Sequence, residues 1–269
     1  MKTAVIVTTY NRPDALAAVL AGYAAQRNAA FELIIADDGS TASTRSLVDD
    51  FKSRTDIPVT HVWHEDNGFR AAAIRNRALA ATQSDYLIFS DGDCIPSPHF
   101  VATHQHLAER GWFVAGNRVL LSESFTARAL EKQLPLHAWG IAEWLRGWLR
   151  GDVNRCLPLL RMPVGAVRKA TPSRWKGVKT CNMAVWRDDL LRVNGLDETY
   201  SGWGLEDSDL AVRLIRAGIR HKSARLAAPV FHLWHVENDR SKLPENQHRL
   251  DSVITSQAVR AQMGLDQYS

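Results

Sequence analysis

Three cysteines are all that this 269-residue chain contains, and Cys94, Cys156 and Cys181 are odd in number, far apart and without the paired spacing of a metal knuckle. That excludes a disulfide-stapled framework and a cysteine zinc site, and it predicts a reducing compartment, the cytoplasm. No apolar run approaches the ~18 residues of a membrane span. The opening Met1 to Val7, one lysine and then an apolar stretch, is broken by Asn11, Arg12, Pro13 and Asp14 before a signal-peptide core can form. Sixteen glycines and ten prolines are too few for a collagenous or low-complexity protein, and 45% apolar residues are too many for a disordered one. There is no internal repeat. What remains is a folded catalytic or binding protein of one large or two small domains.

Charge is unevenly spread. The net value is +4, but Arg128 to Lys179 holds 11 Lys or Arg against Glu131, Glu143 and Asp152, which is +8 and leaves −4 for the rest. Trp139, Trp144 and Trp148 lie among these arginines, followed by Pro158, Pro163 and Pro172. Two readings of this stretch stay open: a peripheral surface, spanning 128–179, for the inner face of an anionic membrane, or an acceptor lid with its tryptophans in the core. Nucleic acid fits poorly, because no recognised binding module accompanies the basic residues.

Four short β-branched or aromatic runs, "TAVIVTTY", "FELIIADD", "PVTHVWHE" and "DYLIFSDGD", predict strands. Helical periodicity over 14–27, about 42–53 and about 69–81 lies between them, with Asn11, Ser40 or Thr41, and Asn67 as the expected caps. Alternation of this kind predicts a mostly parallel α/β sheet with helices on both faces, in which ligands bind beyond the carboxyl ends of the strands. Thr8 to Arg12, Asp37 to Ser40, Glu65 to Arg70 and Asp91 to Asp93 all fall at those ends. Four polar clusters on one edge predict a nucleotide cleft.

Two motifs carry chemistry. "DGD" at Asp91 and Asp93 supplies hard oxygen ligands for magnesium or manganese at the end of an apolar strand, and Pro96 and Pro98 are expected to open the next helix. "GWGLEDSD", Gly202 to Asp209, sets Trp203 between two glycines and sends Glu206, Asp207 and Asp209 into a helix of about 205–217. Glycines there let the backbone bring an indole close to a ligand. First-turn acids also offset the helix dipole, so charge compensation alone would explain them. "FHLWH" adds His232 and His235 without the HExxH pattern of zinc proteases. If the fold returns them beside Asp93, neutral imidazole shifts the preference from magnesium towards manganese.

"VTTYNRP", "IIADDGS", "NGFRAAAIRN" and "FSDGDCIPSP" resemble the nucleotide-binding half of glycosyltransferase family 2 enzymes. "VNGLDETYSGWGLEDSDLAVRLIRAG" followed by "HLWH" resembles the carboxyl-terminal region of beta-1,4-galactosyltransferases and bacterial chondroitin-type polymerases. The likeness runs over about 3–120 and 179–240. It implies the GT-A (Rossmann-like nucleotide-diphospho-sugar transferase) fold, α/β with a mostly parallel central sheet flanked by helices. Residues 1–240 would form one domain: 1–120 the nucleotide-binding half, 121–180 a basic tryptophan-rich insertion, 181–240 the acceptor and catalytic half. Residues 241–269 would follow as a helical tail.

By the same resemblance Thr8, Tyr10, Arg12 and Asp38 hold the uridine of a UDP-sugar and Arg70 lies near the nucleotide. Asp93 binds the metal and Asp91 contacts the donor ribose or sugar. His235 matches the family's metal histidine, with His232 where relatives carry another ligand. Trp203 lies at the donor and acceptor junction, Glu206 binds sugar, and Asp207 is the catalytic base. An acceptor hydroxyl is a poor nucleophile, and a carboxylate that takes its proton lets it attack the anomeric carbon, with inversion. The implied cofactor is Mn2+ or Mg2+ and the implied acceptor a glycan or lipid-linked glycan, in bacterial surface polysaccharide synthesis with a galactose-type donor favoured. Two other classes stay open: a nucleotidyltransferase, which would leave the Trp203 turn without a task, and an inactive nucleotide-sugar-binding partner of a glycan assembly complex.

Overall fold

A computed structural model describes residues 1–156 and 165–268; Pro158 and Pro163 of the basic stretch lie outside the described residues. The main sheet has seven strands in the order β3-β2-β1-β4-β8-β6-β9. Its first four are β1 (Thr3–Thr9), β2 (Glu32–Asp37), β3 (Val59–Trp63) and β4 (Tyr86–Asp91), all parallel and separated by α1 (Pro13–Ala24), α2 (Ala42–Arg54) and α3 (Ala71–Ala80). The chain then gives β5 (Cys94–Pro96), α4 (Phe100–Leu107), β6 (Trp112–Ala115), β7 (Arg118–Leu120), α5 (Glu123–Glu131) and α6 (Ile141–Leu149). It ends with β8 (Asn182–Trp186), α7 (Arg187–Arg192), α8 (Glu206–Arg216), β9 (Arg220–Ser223), β10 (Val230–His232) and α9 (Leu243–Thr255). Strand β8 runs antiparallel to both β4 and β6, so the sheet is mostly parallel.

Alternation along the strands explains the layering. Val5, Val7, Leu33, Ile35 and Ile88 point into a core with Leu16, Val19 and Leu20 of α1 and Val48 of α2. Ala4, Ile6, Ile34, Leu87 and Phe89 point into a second core with Ile74 and Leu79 of α3 and Leu210 and Leu214 of α8. Both faces are dry, as a parallel sheet with crossover helices requires.

The loops depart from the sequence expectation in three places. Asn67 does not cap α3, which begins at Ala71 after Arg70; the Arg70 backbone N–H donates to Asp38 Oδ2 at 2.9 Å and so fixes the start. Asn11 does not cap α1 but turns at φ +46°, and its carboxamide accepts from the Thr41 N–H at 2.9 Å, tying the ends of β1 and β2 together. Thr41 does precede α2. Pro96 opens no helix: residues 94–96 pair antiparallel with β10 in a second sheet of order β5-β10-β7. As an edge strand β5 tolerates a proline, and the helix starts only at Phe100.

The tail braces the rest. Asn246 of α9 is buried and donates from Nδ2 to the carbonyls of Ser201 and Gly204 at 3.1 and 3.0 Å, and Leu265 enters the second core. Among the described residues no helix is long and apolar enough to cross a membrane.

Candidate active site

Parallel register brings the strand ends together. Thr8 stands opposite Asp91, Thr9 opposite Asp37, and Asp37 opposite Trp63. Gly92, the centre of "DGD", donates its N–H to the Thr8 carbonyl at 2.7 Å. A Cβ on Gly92 would fall 2.8 Å from Thr9 Oγ1, so only glycine lets this turn lie against β1.

Arg75 is the hub. It projects from α3 with 4% exposure, Nε donating to Thr8 Oγ1 at 3.0 Å, Nη1 to Glu206 Oε1 at 3.1 Å and Nη2 to Asp91 Oδ1 at 3.1 Å. Burial opposes its charge, but Asp91, Glu206 and Asp207 together outweigh it and hold the guanidinium above the ordinary arginine pKa. One cation thereby joins β1, β4 and α8. The sequence reading missed Arg75. Its signal is a lone cation inside the alanine-rich "AAAIRN", whose neighbours Ala71 to Ile74 are all buried.

Asp207 lies beside this hub, partly buried at the start of α8. Burial, and then the adjacent Glu206, push its carboxyl up to about 6. Burial also raises Asp91, against the pull of Arg75. The third acid of the motif behaves differently: Asp209 is fully buried and pairs with Arg213 one helical turn on, Nε to Oδ1 at 2.7 Å. Asp209 therefore belongs to the packing of α8. The turn before the helix holds Gly202 at φ +69°, Gly204 at +106° and Leu205 at +79°. A leucine in the left-handed region is strained by ~1–2 kcal/mol, and α9 holds it through Asn246.

The second group forms where β10 crosses β5. His232 pairs in register with Cys94, next to Asp93. Asp93 Oδ2 lies 3.5 Å from His232 Nε2 and 3.3 Å from His235 Nε2. Burial pushes the His232 imidazole down to about 4, so it is neutral and free to ligate at neutral pH. Cys94 Sγ donates to the other oxygen, Asp93 Oδ1, at 3.4 Å. One carboxylate oxygen facing two imidazole nitrogens is a donor set that fits a divalent cation of manganese type.

The third group sits at the β2 and β3 ends. Asp38 is buried, hydrogen-bonded to His64 Nε2 at 2.6 Å and to the Arg70 N–H. Tyr10 is 49% exposed, with its hydroxyl donating to Asp66 Oδ2 at 2.8 Å. The Arg70 side chain donates to the Glu65 carbonyl and borders a cavity of ≈ 250 Å³ between α3 and the carboxyl-terminal residues. Of the other expected residues, Arg12 pairs with Asp14 at 2.9 Å, and Trp203, in the turn before Glu206, has Arg240 4.9 Å over its ring.

The model of "Glycosyl transferase family 2" matches residues 4–166, and that of the "N-terminal domain of galactosyltransferase" matches 161–236. Validoxylamine A glucosyltransferase of Streptomyces hygroscopicus subsp. jinggangensis (strain 5008) is 28% identical over 80% of this chain and 51% of its own. Chondroitin synthase of Escherichia coli is 26% identical over 85% of this chain and 34% of its own. The chain thus spans about half the length, or less, of these relatives. Staphylococcus aureus TarS 1–349 in complex with UDP superposes with a TM-score of 0.62 at 15% identity, covering 100% of this chain and 68% of that one, so the fold is GT-A. With the family's model spanning more than half of the chain, residues 4–166, the chain belongs to glycosyl transferase family 2.

Proposed function

We propose that the protein is an inverting, divalent-metal-dependent transferase that moves a hexose or N-acetylhexosamine from a UDP-sugar onto a hydroxyl of a glycan or lipid-linked glycan, in bacterial surface polysaccharide synthesis. The observation that carries this reading is Asp207, a carboxyl pushed up to about 6, beside the Arg75 hub at the same sheet edge as the Asp93, His232 and His235 group. In this reading Asp207 takes the acceptor proton while the hydroxyl oxygen bonds to the anomeric carbon. The bond from that carbon to the diphosphate breaks, and its electron pair leaves with UDP. Attack opposite the leaving group turns an α-linked donor into a β-linked product. Glu206 binds the sugar, Asp91 the ribose or sugar, and Trp203 walls the junction of the two substrates. Thr8, Tyr10, Arg12, Asp38 and Arg70 hold the uridine. Asp93, His232 and His235 would hold Mn2+, or Mg2+, which supplies neutralisation of charge on the diphosphate. Residues 1–240 act as the catalytic unit, with the tail as its brace. The galactosyltransferase match over 161–236 supports a galactose-type donor.

The deciding experiment measures UDP release across a panel of UDP-sugars, with Mn2+ or with a chelator, and with and without simple acceptor sugars. Mn2+-dependent release from one donor, increased by an acceptor, is expected. Mn2+-dependent UDP binding with no release from any donor would instead leave a missing acceptor, to be sought among lipid-linked glycans, or the inert binding partner.

Two narrower outcomes follow. Asp93→Asn and His235→Ala are each expected to weaken Mn2+ binding at least ~10-fold, the scale on which even outer-shell partners matter; titration of free Mn2+ by electron paramagnetic resonance reads this directly, and unchanged affinity would remove them as ligands. The proton-accepting form of Asp207 is lost as pH falls through about 6. The rate at limiting substrate should therefore fall ~10-fold per pH unit below that point, against about 4 for an ordinary aspartate. A profile flat to the lower value would exclude Asp207 as the base.

A further inference from the structure

Helix α6 carries one wide apolar face, and only its Trp144 edge is packed. Trp144 is buried, stacked on Phe231 of β10 with ring centroids 4.0 Å apart and planes 13° apart, and Trp139 packs against Trp144 and Phe125. Of Trp139, Trp144 and Trp148, the first two belong to the core. The third does not: Ile141, Leu145, Trp148 and Leu149 are 45%, 38%, 43% and 76% exposed. At i, i+4, i+7 and i+8 they form a single stripe along the helix. Arg146, paired with Glu143 at 3.0 Å, and Arg150 lie on the polar side, both exposed. Behind Ile141 opens a cavity of ≈ 290 Å³ walled by Trp139, Trp144 and Phe231, with Arg27 on its lining.

Charge decides what covers this stripe. The described residues around α6, 128–156, hold five Lys or Arg against Glu131, Glu143 and Asp152, so a second copy would set one net positive surface against an identical one across a two-fold axis. An anionic surface reverses that sign. An exposed Trp/Leu/Ile stripe bordered by arginines is the pattern of a helix lying in a headgroup boundary, and a cavity with aromatic walls and an arginine suits an acyl chain and its phosphate.

We propose that α6 seats the protein on an anionic phospholipid bilayer, with Ile141, Leu145, Trp148 and Leu149 in the headgroup boundary and Arg146 and Arg150 towards the phosphates. Because Trp144 stacks on Phe231 and His232 follows directly, the docked helix is coupled through one strand to the Asp93 group. The proposal goes beyond the transfer reaction and does not depend on which donor is used.

Co-sedimentation with phosphatidylglycerol/phosphatidylcholine vesicles tests it, beside phosphatidylcholine alone. Binding to the anionic vesicles at low salt is expected, falling at high salt. The double variant Leu145→Glu, Leu149→Glu should lower the partition coefficient at least ~10-fold while keeping the thermal unfolding midpoint. Brominated lipid should quench part of the tryptophan emission, and Trp148→Phe should remove that part. Absence of binding at low salt overturns the proposal. So does binding that the double variant leaves unchanged, which would make it a diffuse effect of surface lysine and arginine. A lipid-free dimer seen by sedimentation velocity and abolished by the double variant would assign the stripe to a second copy instead.

Discussion

Asp207→Asn is expected to lower the turnover number by about 10²–10⁴ while UDP binding stays within about twofold. The magnitude is what a positioned general base contributes to a proton transfer. The separation of the two readouts follows from geometry. Asp207 is not among the carboxylates that hydrogen-bond Arg75; those are Glu206 and Asp91, and an amide at 207 leaves both bonds in place. Removing one acid from a crowded pair also relieves repulsion on Glu206, so the folded protein should lose no stability at neutral pH. Initial rates with donor and acceptor, set beside calorimetric UDP titration, check this. The residual rate should also lose the acid limb near pH 6, because that limb belongs to Asp207. A variant with full turnover would reject the base assignment, and one that failed to bind UDP would make Asp207 a donor-binding residue instead.

The parallel half of the sheet was legible because its signals are local and redundant. Strands β1, β2 and β4 are buried on both faces and read as near-continuous apolar runs, the helices after β1 to β3 carry their own periodicity, and parallel register then forces Thr8, Asp37 and Asp91 to one edge. The second sheet was not legible in the same way. Cys94–Pro96 and Val230–His232 are three-residue strands, too short for any period to declare itself, and the first exists only because the second, itself held by β7, pairs with it. The meeting of His232 with Asp93, which "HLWH" alone leaves open, depends on that pairing.

Identical residues met different fates for reasons that lie outside their own neighbourhood. Trp144 and Trp148 are one turn apart on α6, yet Phe231 covers the first and the second faces outward. Asp207 and Asp209 share a DxD spacing like that of Asp91 and Asp93, but helical phase turns Asp209 inwards to Arg213 and leaves Asp207 at the sheet edge. An aspartate four residues before an arginine on a helix is a visible sign of such a pair. Arg75 was the costliest omission, because a cation on a predicted helix is ordinarily a solvated face. Here α3 is covered on nearly every side except at Arg77, so its one buried charged side chain had to be answered by acids from elsewhere in the chain.

Arg75→Ala is accordingly expected to be the most destabilising single change at this edge, by about 3–5 kcal/mol at pH 7, the range for removing one partner of a buried ion pair. Asp91 keeps 28% of its side-chain exposure and Glu206 11%, so water recovers part of the loss and the lower end of that range is the better expectation. The sign of its pH dependence is fixed. Without the guanidinium, burial raises the Asp91 carboxyl further above its unfolded value; the penalty is then full at neutral pH and fades as pH falls through the raised value towards ~4. Urea unfolding at pH 7 and pH 5 should show the midpoint gap to the parent narrowing at the lower pH. Arg75→Lys retains the charge but lacks the fork that reaches Thr8, Glu206 and Asp91 together, so it should recover only part of the stability. A gap independent of pH would mean that Arg75 acts through packing alone, and full recovery by lysine would mean that charge suffices without the three-way geometry.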